Sequence, residues 1–248
     1  MLFESTNPAA WDPGPHQRHI GMREISLSCG YCVRDATRPP SPSAEILAVA
    51  FGAANEASQL DLAWVADRCP TEDQRNWVRQ WPGEHYRLLS GLVRSLRPSL
   101  IVEVGTYTGS GSLALVDGAR ANNNGAKVIT YDIFPWRDIP GTLLRAEDFG
   151  SDELEQRIGD LGQDAYFAEQ RTTLLGAELI FVDGPKDGRF EPIFFSRLFE
   201  LLAGSSHVVA ADDIHFLNMV QTWNGLKVDK LDITSLGHWS GTGLMLTS

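Results

Sequence analysis

The sequence predicts an α/β protein: a doubly wound, seven-stranded, mostly parallel sheet with helices on both faces. Three observations predict it. From residue 100 onward, short apolar runs typical of buried strands alternate with segments of helical periodicity. Several runs end in acidic residues or glycines, as strands do where they leave a parallel sheet beside a ligand. The hydrophobic content of 43% is sufficient for one large domain with a sizeable core.

The predicted elements divide the chain into an arm and a main domain. Residues 1–43 contain six prolines and little periodicity, which indicates a loose N-terminal arm. Residues 44–248 form the main domain, which begins with a helical part at 44–98. Strands are predicted at 100–104, 127–133, 154–158, 178–183, 207–212, 226–231 and 242–248. Helices are predicted at 43–66, 71–96 with an interruption near Pro82, 111–121, 163–172, 190–203 and 214–222.

Composition excludes several classes of protein. The net charge of −11 and the lack of a basic cluster argue against binding to nucleic acid or to a membrane surface. No apolar run reaches the roughly 18 residues that a membrane span needs. The N-terminus lacks a basic segment followed by an apolar one, so we expect no secretory signal. Three cysteines are too few for a disulfide framework. We therefore expect a soluble cytoplasmic protein.

The first two strand ends carry residues suited to a nucleoside ligand. In IVEVGTYTGSGS, Glu103 closes the strand, and glycines at 105, 109 and 111 allow close approach of a ligand. The spacing is G-x-x-x-G-x-G, which differs from the G-x-G-x-x-G of dinucleotide enzymes. Asp132 ends the next strand and is placed to accept hydrogen bonds from ribose hydroxyls. A tight strand-to-helix turn and a helix cap are the alternative interpretations.

Two further strand ends carry three carboxylates. Asp183 follows the strand in ELIFVDGPKDGRFE, and Asp212 with Asp213 follows the strand in VVAADDIHF. Considered alone, each of these aspartates is also a residue type that is common in turns and at helix caps. If the two strands are neighbours, however, the three carboxylates converge and repel one another unless a cation lies between them. Hard oxygen ligands favour Mg²⁺, Mn²⁺ or Ca²⁺.

The motifs VEVGTYTGSGS, TYDI, FVDGPKDGRFE and VAADDIH resemble, in order and spacing, those of the divalent-cation-dependent class I S-adenosylmethionine O-methyltransferases. These include catechol O-methyltransferase and bacterial sugar and natural-product enzymes. The resemblance covers about residues 80–248 and implies a Rossmann-like fold, S-adenosylmethionine and Mg²⁺. The catechol enzymes have Asn at the position of Asp213, so this chain is more similar to the sugar-modifying branch. The implied acceptor is a small vicinal diol, with a sugar favoured and a phenol second.

The resemblance also implies a role for individual residues. Lys186 would be the general base, and His215 is a rival base with a naturally suitable pKa. The metal ligands would be Asp183, Asp212 and Asp213. The cofactor-binding residues would be Glu103, Gly105, Tyr107, Gly109, Asp132, Asp160 and Asp183.

The sequence also allows other interpretations. A metal-dependent hydrolase, a nucleotide-dependent oxidoreductase and a non-enzymatic scaffold could share the same sheet. Two histidines and two cysteines in the arm could bind a structural Zn²⁺, although their spacer is shorter than is usual in zinc fingers: His16, His19, Cys29 and Cys32. The loop at 134–149 is long enough to form a lid over the acceptor. The sequence also leaves a homodimer open.

Overall fold

The computed structural model describes residues 42–248. The predicted zinc ligands His16, His19, Cys29 and Cys32 lie outside the described residues, as does almost all of the predicted arm. The described part confirms the predicted fold class: one seven-stranded, mostly parallel sheet with helices on both faces, which is a Rossmann-like architecture.

The strands and helices follow the predicted order. The strands are β1 (Leu100–Val104), β2 (Lys127–Asp132), β3 (Leu154–Ile158), β4 (Leu179–Val182), β5 (His207–Asp212), β6 (Asp229–Asp232) and β7 (Thr242–Thr247). The helices are α1 (Ala44–Gln59), α2 (Ala63–Ala66), α3 (Glu72–Arg79), α4 (Tyr86–Leu96), α5 (Ser110–Asn122), α6 (Asp164–Gly176), α7 (Phe190–Leu202) and α8 (Met219–Gly225). None of these helices, nor any other between residues 42 and 248, is long and apolar enough to cross a membrane.

The strand order β3-β2-β1-β4-β5-β7-β6 decides where a ligand can bind. Strands β1 to β5 are parallel, and β7 runs antiparallel to both β5 and β6. The chain leaves β1 in one direction toward β2 and β3, and later resumes on the other side with β4 and β5. The order therefore reverses between β1 and β4. Parallel sheets bind ligands at the carboxyl ends of strands flanking such a reversal.

Alternating side chains of each strand enter two separate cores. Ile101 of β1 joins the core beneath α1, α4 and α5, whereas Val102 joins the core beneath α6, α7 and α8. Both residues are fully buried, as is typical of central strands covered on both faces. The two cores hold the strand ends rigidly in place, which is what a precisely arranged site requires.

Side-chain caps define several helix starts. Ser43 accepts a hydrogen bond from Ile46 N at 3.1 Å at the start of α1, and Thr71 does the same for Gln74 N in α3. Asp187 accepts from the backbone before α7. One predicted helix start is wrong. Helix α8 begins at Met219 and not at 214, because the backbone turns through left-handed conformations first.

The loop at 134–149 is partly built into the domain. Leu144 is buried against Gly109, where α5 begins. Asp148 is also buried and forms a two-pronged ion pair with Arg68, with N–O distances of 2.6 and 2.8 Å. Such paired contacts hold a segment more firmly than an exposed ion pair does. In the first half, Trp136 N donates to Gln156 and the Trp136 ring stacks on Phe149, so both halves of the loop are tied to the domain and the lid stays a prediction.

Candidate active site

A cavity of about 780 Å³ opens at the carboxyl ends of β1, β2 and β4, where the strand order reverses. Its volume is in the range of small-molecule and cofactor sites. The lining residues come from the strand exits and from the start of α7: Val104, Gly105 and Tyr107; residues 131–134 and 159–163; Asp183, Gly184 and Pro185; and Asp187, Arg189, Phe190 and Ile193.

The cavity wall is strongly acidic. Its ionisable carboxylates are those of Asp132, Asp160, Asp183 and Asp187, and Arg189 is the cationic side chain among the lining residues. Asp183 is paired with the Lys186 ammonium, so Asp132, Asp160 and Asp187 against Arg189 leave a net negative wall, which favours a cationic ligand and disfavours a phosphorylated one.

Asp132 anchors the loop that follows β1. One carboxylate oxygen accepts hydrogen bonds from Thr106 N at 3.0 Å and Tyr107 N at 2.9 Å, and the other accepts from Phe134 N at 3.0 Å. An ionised carboxylate has about four acceptor positions, so capacity remains for a ligand hydroxyl. Tyr107 has a left-handed φ of 41° and a ring that is 70% exposed at the cavity wall.

Gly105 and Asp160 both line the cavity. Gly105 has a φ of +103°, and a Cβ at this position would clash with the carbonyl oxygen of Asp183. Only glycine therefore fits between β1 and β4. Asp160 accepts hydrogen bonds from Gly162 N at 2.7 Å and from Gln163 Nε2 at 3.0 Å, which fixes its carboxylate at the cavity wall.

Two of the predicted cofactor residues do not line this cavity. Glu103 is 1% exposed and points beneath α5, where it accepts a hydrogen bond from Ser112. Gly109 precedes the first turn of α5 and is covered by Leu144. The reason is the alternation of side chains along β1, which directs Glu103 to the opposite face from Val104. Glu103 and Gly109 therefore contact the first turns of α5 and Leu144, and not the cavity.

Burial raises the pKa of Glu103 to about 8 from its ordinary value of 4.5, against the hydrogen bond from Ser112 that lowers it. Because the folded pKa is the higher one, the neutral carboxyl contributes stability that is fully present below pH 4.5 and is lost as the pH rises through about 8. As the pH is raised from about 5 to about 8, we expect the melting temperature of Glu103→Gln to fall less than that of the wild type. Thermal unfolding at a series of pH values measures this, with the exposed Glu147→Gln as control.

Asp183, Asp212 and Asp213 form the acidic cluster, in which one oxygen of each lies within 4.8 Å of the others. The sheet brings them together because β4 and β5 are paired neighbours. Asp213 has a φ of 61°, a left-handed conformation that Asp and Asn tolerate better than most residues. Strain of this kind is frequent at functional sites.

Lys186 lies among these carboxylates. Its ammonium forms ion pairs with Asp183 and, at 3.0 Å, with Asp213. Burial lowers the pKa of Lys186, but the two carboxylates raise it more, so the pKa stands above its usual value. For Asp183 the balance is the opposite: burial raises its pKa more than the Lys186 ammonium lowers it, so the net pKa is raised. Lys186 thus supplies the positive charge that keeps the acidic cluster together.

The structure also brings two histidines to the cluster that the sequence did not single out. His85 Nδ1 and His238 Nδ1 lie 3.4 and 3.2 Å from the same oxygen of Asp212. Burial raises the pKa of Asp212, but these histidines lower it more, and the net pKa is depressed. His85 precedes α4 and His238 lies in the β6–β7 loop, so no local motif connects them. Only the tertiary fold reveals the pair.

His215, the rival base, lies apart from this arrangement. Its ring forms a 2.8 Å hydrogen bond with Asp232 of β6, and both side chains are more than 40% exposed. No metal-capable group found among residues 42–248 includes His215.

The chain is similar in structure to a putative caffeoyl-CoA O-methyltransferase from Staphylococcus aureus, with a TM-score of 0.50, 16% identity, and coverage of 66% of this chain and 82% of that one. It is also similar to an O-methyltransferase from Bacillus cereus in complex with S-adenosylhomocysteine, with a TM-score of 0.49, 17% identity, and coverage of 79% and 90%. At these identities the first likeness shows a shared fold. No protein-family model and no curated protein matches the sequence.

Proposed function

We propose that this protein is an S-adenosylmethionine-dependent O-methyltransferase that uses a divalent cation. One observation carries the proposal: Asp183 belongs both to the wall of the cavity and to the acidic cluster. A methyl donor in the cavity and a hydroxyl held at the cluster would therefore be neighbours. Methyl transfer requires this arrangement, because the acceptor oxygen must approach the methyl carbon closely and in line with the leaving sulfur.

The charge of the cavity supports the identity of the donor. S-adenosylmethionine carries a sulfonium and an ammonium, and the acidic wall complements both. A dinucleotide carries a diphosphate, which the same wall would repel. We propose that Asp132 and Asp160 accept hydrogen bonds from the nucleoside, and that Gly105 and Tyr107 form the turn around the amino-acid end.

The acidic cluster fits a hard divalent cation. We propose that Asp183, Asp212 and Asp213 hold Mg²⁺, with Mn²⁺ or Ca²⁺ as alternatives of the same ligand preference. Three carboxylates at this spacing require a positive charge, which Lys186 supplies in part. When bound, the cation supplies Lewis acidity that orients and acidifies a hydroxyl.

Lys186 is the proposed general base. In the reaction the acceptor oxygen forms a bond to the methyl carbon, the carbon–sulfur bond breaks, S-adenosylhomocysteine leaves, and the hydroxyl proton passes to Lys186 Nζ. Lys186 becomes a base only when Asp183 and Asp213 are otherwise engaged, because their charges hold its pKa above its usual value. When Asp183 and Asp213 bind a cation, they would stabilise the Lys186 ammonium less, and the pKa of Lys186 would fall toward the range in which it can accept a proton.

We propose a small vicinal diol as the acceptor, with a sugar favoured over a phenol. Trp239 follows His238 directly and is 71% exposed, so it presents a flat apolar face beside the cluster. Rings of sugars and of phenols both pack on such faces. Turnover of methyl-labelled S-adenosylmethionine with paired acceptors, each a diol and its monohydroxy analogue, would identify the class.

Calorimetry with S-adenosylhomocysteine tests the donor. We expect the wild type to bind it, and Gly105→Ala to lose most of the affinity, because the added Cβ overlaps the carbonyl oxygen of Asp183 and forces β1 and β4 apart at the cavity wall. Gly125→Ala is the matched control, since Gly125 also has a positive φ of 72° but no atom within 4 Å of the added Cβ. Absence of binding to the wild type, or tighter binding of a nicotinamide dinucleotide, would refute the proposal.

A further inference from the structure

We propose that His85, His238 and Asp212 form a second metal site, adjoining the acidic cluster and sharing Asp212 with it. The ion would be a divalent transition metal such as Zn²⁺ or Co²⁺. One ligand atom of each residue lies within 4.8 Å of the other two. The proposal rests on this geometry and does not require methyl transfer.

The spacing of the donor atoms fits such an ion. His85 Nδ1 lies 3.4 Å and His238 Nδ1 lies 3.2 Å from Asp212 Oδ1. Donor atoms at about 2.0–2.1 Å from a tetrahedral Zn²⁺ are separated from one another by roughly 3.3–3.4 Å. Both measured separations are close to this edge length. The two edges from Asp212 thus match those of a tetrahedral site, and one ring nitrogen of each histidine lies within 4.8 Å of the other.

His85 provides an independent sign of a missing ligand. Its side chain is buried, with the residue 4% exposed, and its Nδ1 has no hydrogen-bond partner among the described residues. Buried ring nitrogens are nearly always paired, because leaving one unpaired costs free energy. This Nδ1 lies 3.4 Å from Asp212 Oδ1, which is an ion-pair distance without a hydrogen bond and is also suitable for two ligands of a shared ion.

His238 has the surroundings of a metal ligand. Its second ring nitrogen, Nε2, faces Glu84 at 3.5 Å, as the outer nitrogen of a metal-bound histidine commonly faces a carboxylate. Ser240 Oγ lies 2.7 Å from His238 Nδ1 and also donates to Asp213. The hydroxyl of Ser240 therefore keeps a partner when Nδ1 binds an ion.

The backbone fixes the two histidines relative to each other. Gly83 N donates to Gly237 O at 3.0 Å, and Trp239 N donates to Gly83 O at 3.1 Å. These bonds join the segment before α4 to the β6–β7 loop on both sides of His238. Ligands supported by such fixed backbone are preorganised, which lowers the entropy lost on metal binding.

Donor chemistry separates the two sites. Two imidazole nitrogens and one carboxylate suit Zn²⁺, Co²⁺ and related ions, whereas Mg²⁺ takes oxygen ligands. The acidic cluster and the histidine site would therefore differ in metal preference although they share Asp212.

Cobalt binding tests the site. The full chain, stripped of metal by a chelator, is titrated with Co²⁺ in the presence of excess Mg²⁺ and passed through gel filtration. Retained cobalt is counted by mass spectrometry and its ligands are characterised by visible absorption. We expect His238→Gln and His85→Gln each to lose one equivalent of retained Co²⁺ per chain, together with its nitrogen-ligand absorption. His215→Gln is the matched control and should keep both.

Two further measurements complete the experiment. The double variant Cys29→Ser, Cys32→Ser removes any thiolate-bound Co²⁺ in the arm, which is also recognisable by sulfur-to-metal charge transfer. Thermal unfolding shows which variants are folded, and His238 is the less buried of the two histidines. Unchanged cobalt content and absorption in folded His238→Gln would overturn the proposal. Binding of S-adenosylhomocysteine, measured in parallel, keeps this outcome separate from a failure of the proposed function.

Discussion

Asp183→Ala is expected to lower methyl transfer by about 10³-fold or more, because a lost Lewis acid is worth several kcal/mol and each 1.4 kcal/mol is a factor of ten. Asp183 contributes to both halves of the site: it lines the cavity and belongs to the acidic cluster. Its removal also takes one of the two carboxylates from Lys186. Turnover of labelled S-adenosylmethionine at saturating Mg²⁺ measures the effect.

The control for this variant is Asp61→Asn. Asp61 forms an exposed ion pair with Arg79, with both side chains about half exposed, and contributes to neither the cavity nor the cluster. Exposed pairs contribute little to stability, so this variant should retain wild-type turnover. Full activity of Asp183→Ala, or of the wild type in excess chelator, would contradict the role of the cation.

Lys186→Met is expected to lower the rate of methyl transfer by about 10²–10⁴-fold, the usual contribution of a general base. The wild-type rate should rise with pH, because the base works only when neutral and its carboxylate partners hold its pKa above the usual value. Lys186→Met should abolish this rise. Binding of S-adenosylhomocysteine should persist, since Lys186 is not among the residues that line the cavity.

His215→Gln is the comparison that distinguishes the two candidate bases. His215 is exposed and paired with Asp232, so we expect its replacement to leave the rate and its pH dependence essentially unchanged. The opposite pattern, with a pH-independent rate in His215→Gln and a normal profile in Lys186→Met, would transfer the role of base to His215.

The sequence was sufficient to predict the sheet because parallel strands have a simple signature. Strand β4 is apolar throughout, and β1 and β5 are mostly apolar and buried, since both faces of the sheet are covered. The predicted start of the helix after β5 was wrong for a local reason. Asp213 and Leu217 adopt left-handed conformations, and a pattern of apolar residues contains no sign of such a turn.

The acidic cluster was predictable because its members end neighbouring strands. Adjacent strands of a parallel sheet bring their carboxyl ends to one edge, so Asp183, Asp212 and Asp213 had to meet if the order was right. The histidines could not be predicted in the same way. His85 and His238 are brought together by backbone hydrogen bonds between two loops. Contacts between loops produce no periodic pattern in the sequence from which they could be predicted.

The position of β7 has a consequence for the order in which the protein can be completed during synthesis. Strand β7 follows β6 in the chain but lies between β5 and β6 in the sheet, so β6 has no partner until β7 has emerged from the ribosome. His238 and Ser240 immediately precede β7. A growing chain can therefore position Asp183 and Asp212 early, whereas His238 reaches Asp212 only after the β6–β7 loop has been synthesised.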